Sequence, residues 1–186
     1  MRIIAGTAKR CRLVAPPGLT TRPTSDLVRG AACSQIGGFL NGGSVLDLCA
    51  GTGAVALEML SRGAERAVAV ENDPTALHCL RDNAVHARLQ DRLDVRALDV
   101  VAALARMAAA GEVYSLVWFD PPWAAGLEGA VLGALGRGNL VRQGGDLFVE
   151  SAAPLDAAHY DSWFSLVDVR RYGAGHLSRL EPLEHP

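Results

Sequence analysis

The 186-residue sequence is poor in several features that would assign it to a structural class at once. It has no apolar run near the roughly 20 residues that span a bilayer, and its first six residues lack the apolar core of a signal peptide. No Cys-x-x-Cys pair occurs among its four cysteines, Cys11, Cys33, Cys49 and Cys79. A zinc site or disulfide framework is therefore not expected. We expect a soluble, cytoplasmic protein with reduced thiols, no metal and no membrane attachment.

Lysine is almost absent, since Lys9 is the only one among 18 basic residues. The net charge of −2 is small but unevenly distributed. Residues 1–30 carry six basic and one acidic side chain, a net charge of +5, which leaves −7 for the remainder. A basic N-terminal segment on an acidic domain predicts an anionic partner near that segment. A solvated surface segment is the alternative.

The first 25 residues predict a basic arm that is distinct from the rest of the chain. Ile3-Ile4 and Leu13-Val14 flank a basic turn, a pattern that favours a β-hairpin ending at Pro16-Pro17-Gly18. After Arg22-Pro23, one of Thr24, Ser25 and Asp26 is expected to cap a helix that runs to about Phe39. We therefore predict a hairpin arm over residues 1–25 and one larger domain over residues 26–186.

From residue 44 onward, short apolar strands alternate with helical segments, which predicts a mostly parallel sheet covered on both faces by helices. The predicted strands are Ser44–Cys49, Ala67–Glu71, Leu93–Leu98, Tyr114–Phe119 and Asp146–Glu150. The predicted helices span residues 54–62, 74–87, 100–110 and 127–136. The tail differs, because its strands at Phe164–Tyr172 and His176–Leu180 are separated only by Gly173-Ala174-Gly175. That spacing predicts an antiparallel hairpin at the sheet edge.

The first predicted strand runs into a glycine-rich turn that is typical of a nucleotide-type cofactor site. Its residues are Asp47-Leu48-Cys49-Ala50-Gly51-Thr52-Gly53. The two glycines permit a sharp turn and a close approach of ligand, and the following helix presents free N–H groups and the positive end of its dipole. Ligands of open α/β sheets bind at the carboxyl ends of the strands, where this turn lies.

Three acidic residues accompany this turn. Glu71 ends the second strand, where a carboxylate can accept hydrogen bonds from both hydroxyls of a ribose, and Asp99 follows the third strand, where it can accept one from an adenine amine. Gly51, Gly53 and Ala56 also fit the G-x-G-x-x-A fingerprint of NAD-binding proteins, with Glu71 at the matching spacing. Asp47 favours a cofactor other than NAD, because a loop that binds the pyrophosphate of NAD has no need of a nearby negative charge. Asp47 can instead bind a cofactor amine or brace the loop.

The fourth predicted strand ends in Trp118-Phe119-Asp120-Pro121-Pro122-Trp123. Prolines have no N–H and a fixed φ, so this stretch is stiff and presents bare carbonyls. Asp120 and the Pro121 carbonyl can accept the two hydrogens of an exocyclic amine, aim its lone pair and take up its proton, while Trp123 offers a face on which a base can stack. The motif predicts methyl transfer from S-adenosylmethionine to a nucleobase amine; a structural Pro-Pro turn is the alternative.

The chain resembles the bacterial 16S ribosomal RNA guanine-N2 methyltransferases of the RsmD type over nearly its whole length. The resemblance rests on segments 1–6, 22–29, 45–54, 58–64, 70–71 and the Asp-Pro-Pro-aromatic motif. It implies the Rossmann-like S-adenosylmethionine-dependent methyltransferase fold, an α/β seven-stranded sheet with the N-terminal hairpin as an extension. It also implies N2-methylguanine in small-subunit RNA as product and a partly assembled small subunit as substrate. We expect the protein itself to be a monomer.

The resemblance assigns roles residue by residue. It implies catalysis by Asp120 and Pro121, with stacking on Trp123. The implied cofactor contacts are Asp47, Gly51, Gly53, Glu71 and Asp99, and Arg22 and Thr24 are implied to lie near the cofactor or the RNA. Beside these, we expect cofactor contacts from the neighbouring Ala50, Thr52, Asn72 and Val100. We expect RNA contacts from Arg10 and Arg12 of the basic arm, from Arg22 and Thr24, and from Pro122.

Two departures from the family pattern stand out. Trp123 occupies a position where the family usually has Phe or Tyr, and Gly30-Ala31-Ala32-Cys33-Ser34 replaces a usual Glu and Ala-Leu-Phe-Asn run. Two other functions remain open from the sequence. One is methylation of adenine N6 or of a protein glutamine amide, and the other is RNA binding without catalysis around a relic cofactor site.

Overall fold

A computed structural model of the chain describes residues 1–15 and 26–184. It contains two compact units, Met1–Leu98 and Asp99–Pro186. Seven strands form a mixed sheet in the order β3-β2-β1-β4-β5-β7-β6, with bounds given below. The α/β fold class and the C-terminal antiparallel strands predicted from the sequence are confirmed.

The first unit alternates helices and parallel strands. Its elements are α1 (Asp26–Gln35), β1 (Ser44–Leu48), α2 (Ala54–Ser61), β2 (Arg66–Glu71), α3 (Pro74–His86) and β3 (Leu93–Ala97). Strand β2 pairs in parallel with both β1 and β3. Apolar runs such as Val45-Leu46 and Val68-Ala69-Val70 are buried, as expected for parallel strands that are covered on both faces.

The second unit adds two helices and four strands. Its elements are α4 (Val100–Ala109), β4 (Tyr114–Phe119), α5 (Glu128–Arg137), β5 (Val141–Ser151), β6 (Phe164–Tyr172) and β7 (Gly175–Pro182). Strands β4 and β5 are parallel, whereas β7 pairs antiparallel with both β5 and β6. Trp118 of β4 stacks on Phe148 of β5 with 5.5 Å between ring centroids, which fixes the core of this unit.

Two predicted bounds differ from the structure by more than two residues. Helix α1 ends at Gln35 instead of about Phe39, because Gly37 and Gly38 both have φ of +83°, outside the helical region. Strand β5 begins at Val141, five residues earlier than predicted. In the N-terminal arm, Arg2 and Arg12 form an antiparallel bridge, and backbone hydrogen bonds cross the arm from Ile3 to Cys11, from Arg10 to Ile3 and from Leu13 to Met1. The predicted end of the hairpin at residues 16–18 lies outside the described residues.

The four cysteines all carry free thiols. Cys33 lies in the core beside α2, and burial raises the pKa of its thiol to about 11. A neutral buried thiol is a poor nucleophile. No helix in the described part of the chain has the length and apolar character to cross a membrane.

Candidate functional site

The turn between β1 and α2 has the backbone geometry that a ligand loop requires. Cys49, Gly51 and Gly53 have φ of 60°, 55° and 76°. Gly53 is the N-cap residue of α2, and the Ala50 amide donates to the Val70 carbonyl at 2.9 Å. Three left-handed residues in five reverse the chain tightly, so the predicted turn is present with its α2 amides at one end.

The two glycines of the turn serve different purposes. A Cβ at Gly53 would lie 2.9 Å from Cγ of Leu80, which is fully buried. A Cβ at Gly51 would have no atom within 4 Å. Gly53 is therefore required by packing against α3, whereas Gly51 borders open space that is available to a ligand.

Asp47 braces the turn from inside. Its carboxylate is 2% exposed, and Oδ2 accepts a hydrogen bond from the Ala56 amide at 2.9 Å. The sequence left two roles open for Asp47, a cofactor contact and a brace for the loop. This hydrogen bond is the one expected of a brace.

Glu71 holds the same turn from β2. One carboxylate oxygen accepts from the Gly51 amide at 2.7 Å, and the other accepts from the amides of Asn72 and Asp73 at 2.8 and 2.9 Å. A carboxylate offers about four lone-pair positions, so three backbone donors leave room for about one more. The half-buried Glu71 thus presents a fixed negative charge beside Gly51.

Asp99 and Val100 belong to the second unit. The Asp99 side chain caps α4 by accepting from the amides of Val101 and Ala102 at 2.9 and 3.2 Å, and it is exposed, whereas Val100 is buried. Helix capping fixes the rotamer of Asp99. The carboxylate that is predicted to accept a hydrogen bond from an adenine amine is therefore the same one that caps α4.

The Asp-Pro-Pro-Trp motif directly follows β4. Asp120 is half-buried, Pro121 is buried and Pro122 is exposed. The Pro122 carbonyl accepts from the Ala125 amide at 2.8 Å and so closes the 3-10 turn Trp123–Ala125. The short turn and the two prolines hold the motif in one conformation.

Trp123 rests on a glycine that the sequence analysis assigned only to a turn. A Cβ at Gly175 would lie 2.9 Å from Cζ2 and 3.1 Å from Cη2 of the Trp123 ring, and 3.5 Å from the Ser151 carbonyl oxygen. The indole therefore packs against the backbone where β7 begins. The absence of a side chain at residue 175 makes room for the larger aromatic ring in this sequence.

The N-terminal arm is anchored to α2 through buried polar groups that the sequence analysis missed. The Glu58 carboxylate, fully buried, accepts from the amides of Ile4 and Ala5 at 2.7 and 3.1 Å and from Arg62 Nε at 2.6 Å. Gly6 has φ of +84°, and a Cβ there would lie 1.8 Å from the Ser61 carbonyl oxygen. The arm therefore lies directly on the helix that follows the glycine turn.

Asn83 ties the arm to the glycine turn. Its side chain accepts from the Val14 amide at 2.8 Å and donates to the carbonyls of Val14 and Thr52 at 2.9 and 3.0 Å. Asn83 is almost fully buried, and a buried amide needs hydrogen-bond partners; that burial is visible only in the structure.

Of the predicted RNA contacts, Arg10 and Arg12 are exposed on the arm and Pro122 is exposed in the second unit. Arg10 has φ of 72° at the tip of the arm. Arg22 and Thr24 lie outside the described residues.

Alanine substitution at Gly51 is expected to affect mainly ligand affinity, whereas alanine substitution at Gly53 is expected to affect mainly stability. Both changes strain a left-handed backbone, by about 1–2 kcal/mol, but only Gly53→Ala also collides with Leu80, at a further cost of about 1–3 kcal/mol. Gly51→Ala instead fills the space next to the turn, so it is expected to lower affinity for S-adenosylmethionine by about tenfold or more, or about 1.4 kcal/mol. Thermal unfolding and calorimetric titration separate the two; equal loss of affinity and stability in both variants would contradict the assignment.

Comparison with known proteins gives consistent results over almost the whole chain. The family model described as "Conserved hypothetical protein 95" matches residues 1–181. The protein named "Putative rRNA methyltransferase YlbH" of Bacillus subtilis is 35% identical over 123 residues, which cover 66% of this chain and 67% of that protein. "Ribosomal RNA small subunit methyltransferase D" of Escherichia coli K12 is 28% identical over 151 residues, or 81% of this chain and 74% of that protein. The solved structure described as "Putative methyltransferase yhhF from Escherichia coli" superposes with a TM-score of 0.86 at 26% identity, covering 98% of this chain and 97% of that one.

Proposed function

We propose, from the premise that this chain belongs to the RsmD-type family, that Asp120 and Pro121 direct a methyl group onto the exocyclic N2 amine of a guanine in 16S ribosomal RNA. The protein is an S-adenosylmethionine-dependent methyltransferase of 16S ribosomal RNA. The observation that carries the proposal is the rigid Asp120-Pro121-Pro122-Trp123 segment at the carboxyl end of β4, with its indole seated on Gly175.

The residues of this segment can compensate for the low reactivity of the guanine amine. The lone pair of a guanine amine is delocalised into the ring, so the nitrogen is a weak nucleophile. We propose that one N–H of the amine donates a hydrogen bond to the Asp120 carboxylate and the other N–H donates to the Pro121 carbonyl. The two hydrogen bonds together favour a pyramidal nitrogen whose lone pair points towards the methyl group. Asp120 then accepts the proton that methylation releases. Trp123 holds the base by stacking, and Pro122 borders the RNA strand.

S-adenosylmethionine, when bound, supplies the electrophilic methyl group on its sulfonium sulfur. We propose that Ala50, Gly51, Thr52 and Gly53 bind it through the backbone, and that Asp47 keeps their turn in shape. The open space beside Gly51 leaves room for a ribose, and the acceptor position that remains on Glu71 suits one ribose hydroxyl instead of the two expected from the sequence. Asn72, Asp99 and Val100 complete the proposed cofactor contacts.

We propose that the arm over residues 1–25 binds RNA while residues 26–186 carry the reaction. Lys9, Arg10 and Arg12 are exposed on an arm that Glu58 and Asn83 hold in place. Anchored cations contact phosphates without the entropy cost of ordering a free tail. Arg22 and Thr24 are proposed to add RNA contacts. The protein is further proposed to act in the cytoplasm, as a monomer, on a partly assembled small subunit.

Replacing Arg10 and Arg12 with Gln is expected to weaken RNA binding and to reduce its salt dependence. Each lost contact with a single-strand phosphate lowers the slope of log K against log salt by about 0.7. The control is a double variant with the same loss of charge on exposed helix positions, Arg81→Gln with Arg106→Gln. Binding to small-subunit RNA fragments, measured over a salt series, compares them; equal slopes in the two double variants would remove the arm from the RNA interface.

The function is tested by nucleoside mass spectrometry of ribosomal RNA from a strain that lacks this gene. Loss of one N2-methylguanine in 16S RNA, restored by the wild-type gene and by purified protein with S-adenosylmethionine, is expected. Loss of a methyladenosine, or of a protein methylation instead, would overturn the guanine assignment. RNA binding without any affinity for S-adenosylmethionine would indicate a non-catalytic assembly factor.

A further inference from the structure

A second carboxylate, that of Glu150, lies near the end of the strand next to the Asp-Pro-Pro-Trp motif. Strands β4 and β5 are parallel, with Trp118 paired to Phe148 and Phe119 paired to Val149. Continuing that register by one residue sets Glu150 beside Asp120. The side chain of Glu150 is on the same sheet face as Phe148, since side chains two residues apart in a strand share a face. Asp120 and Glu150 therefore lie at the same ends of two neighbouring strands.

The indole of Trp123 lies at this corner too. It packs against Gly175, whose Cβ position is 3.5 Å from the carbonyl oxygen of Ser151. Ser151 directly follows Glu150, which is itself paired with Leu177 of β7. Trp123 therefore lies at the same corner of the second unit as the ends of β4 and β5, so a base stacked on it would be close to Asp120 and Glu150.

Glu150 is only 8% exposed. A carboxylate in such surroundings is costly to bury, and it interacts strongly with a hydrogen-bond donor and unfavourably with an acceptor. A buried carboxyl group at the end of a strand that borders a reactive motif is a candidate for recognition as much as for packing.

The hydrogen-bonding edge of guanine matches two adjacent acceptors. Its N1–H and its N2 amine are neighbouring donors, whereas adenine has an acceptor at N1. We propose that Glu150 is a specificity-determining residue that accepts the N1–H of the target guanine while Asp120 accepts from N2. This inference rests on the proposed function and adds to it the group that distinguishes guanine from other amine-bearing bases.

The test uses 2-aminopurine, which keeps the 2-amine of guanine but has an unprotonated N1 and no O6. Small-subunit RNA is assembled with either base at the methylated position, once that position is mapped, and methyl incorporation is measured for both. The wild-type protein is expected to prefer guanine by at least about tenfold, consistent with the discrimination that one well-placed hydrogen-bonding group provides. Loss of O6 affects every variant alike, so the change in preference between variants isolates N1.

Glu150→Gln presents an amide N–H that can donate to the N1 of 2-aminopurine. Its preference for guanine is expected to fall to about one or below, while Glu150→Asp keeps a carboxylate and keeps the wild-type preference at a lower rate. Glu181→Gln, a carboxylate change on β7 at a residue paired with Arg179, serves as the control and leaves the preference unchanged. Because each preference is a ratio within one protein preparation, partial misfolding cancels.

A wild-type preference in Glu150→Gln would overturn the role of Glu150 and leave the proposed function intact. An equal loss of preference in Glu150→Asp and Glu150→Gln would also overturn it, since the carboxylate would then not be the recognised feature. Failure of the wild-type protein to methylate the guanine RNA would overturn the proposed function itself, and this inference with it.

Discussion

Replacing Asp120 with Ala is expected to reduce methyl transfer by roughly 10²- to 10⁴-fold, the usual contribution of a positioned acid or base. The variant loses an acceptor that orients the amine and takes its proton, so the loss falls on kcat as well as on kcat/KM. Affinity for S-adenosylmethionine is expected to stay close to that of the wild type, because the glycine turn and Glu71 are unchanged. Steady-state kinetics and calorimetry measure the two quantities.

Two comparisons make that experiment decisive. Asp161→Ala removes an exposed acid of the same unit and is expected to leave kcat unchanged. Asp120→Asn keeps an acceptor oxygen but cannot take a proton, so its rate should lie between those of the wild type and Asp120→Ala. Near-normal turnover in Asp120→Ala would refute both the orienting and the proton-accepting role.

Replacing Glu58 with Ala is expected to destabilise the protein by about 3–5 kcal/mol, the usual effect of removing one partner of a buried ion pair. The change leaves Arg62, which is 8% exposed, without its carboxylate and strands the amides of Ile4 and Ala5. These three donors share one acceptor group, so the substitution removes all three hydrogen bonds at once. Urea unfolding followed by circular dichroism measures the free energy.

Glu65→Ala provides the matched control, because Glu65 is an exposed acid of the same unit only seven residues away. Exposed substitutions of this kind usually change stability by less than about 0.5 kcal/mol. If Glu58→Ala and Glu65→Ala unfolded at the same urea concentration, Glu58 would not be holding the arm.

The alternation of apolar strands and helices was sufficient to predict the fold, since strands such as Tyr114–Phe119 agree with the structure to the residue. Burial on both faces leaves a continuous apolar run that sequence reading detects easily. The bounds that were wrong involve glycines. Gly37 and Gly38 end α1 early, and Gly144, with φ of +69°, lies inside β5, where a turn would be expected. The conformation of a glycine depends on its surroundings, which a single sequence does not reveal.

The site was predicted less completely, because the same side chain can serve a ligand or the fold. Asp47 was predicted to be either a cofactor contact or a loop brace, and only coordinates reveal its bond to the Ala56 amide. Glu58 and Asn83 carry no motif at all. Their partners, Ile4 and Val14, are 54 and 69 positions away in the sequence, a separation at which local periodicity gives no information.

That separation also determines when the arm can dock during synthesis of the chain. The arm is synthesised before α3, and the α3 residue that binds Val14 is added 69 residues later, or about 3–14 s at the usual rate of 5–20 residues per second. During that interval the newly made arm lacks its contact with Asn83, and for the first part of it the contacts with Glu58 and Ser61 are absent too. Complete docking of the arm is thus a late step in the folding of the nascent chain. A chain truncated before Asn83 would lack the side chain that forms hydrogen bonds with the backbone of Val14.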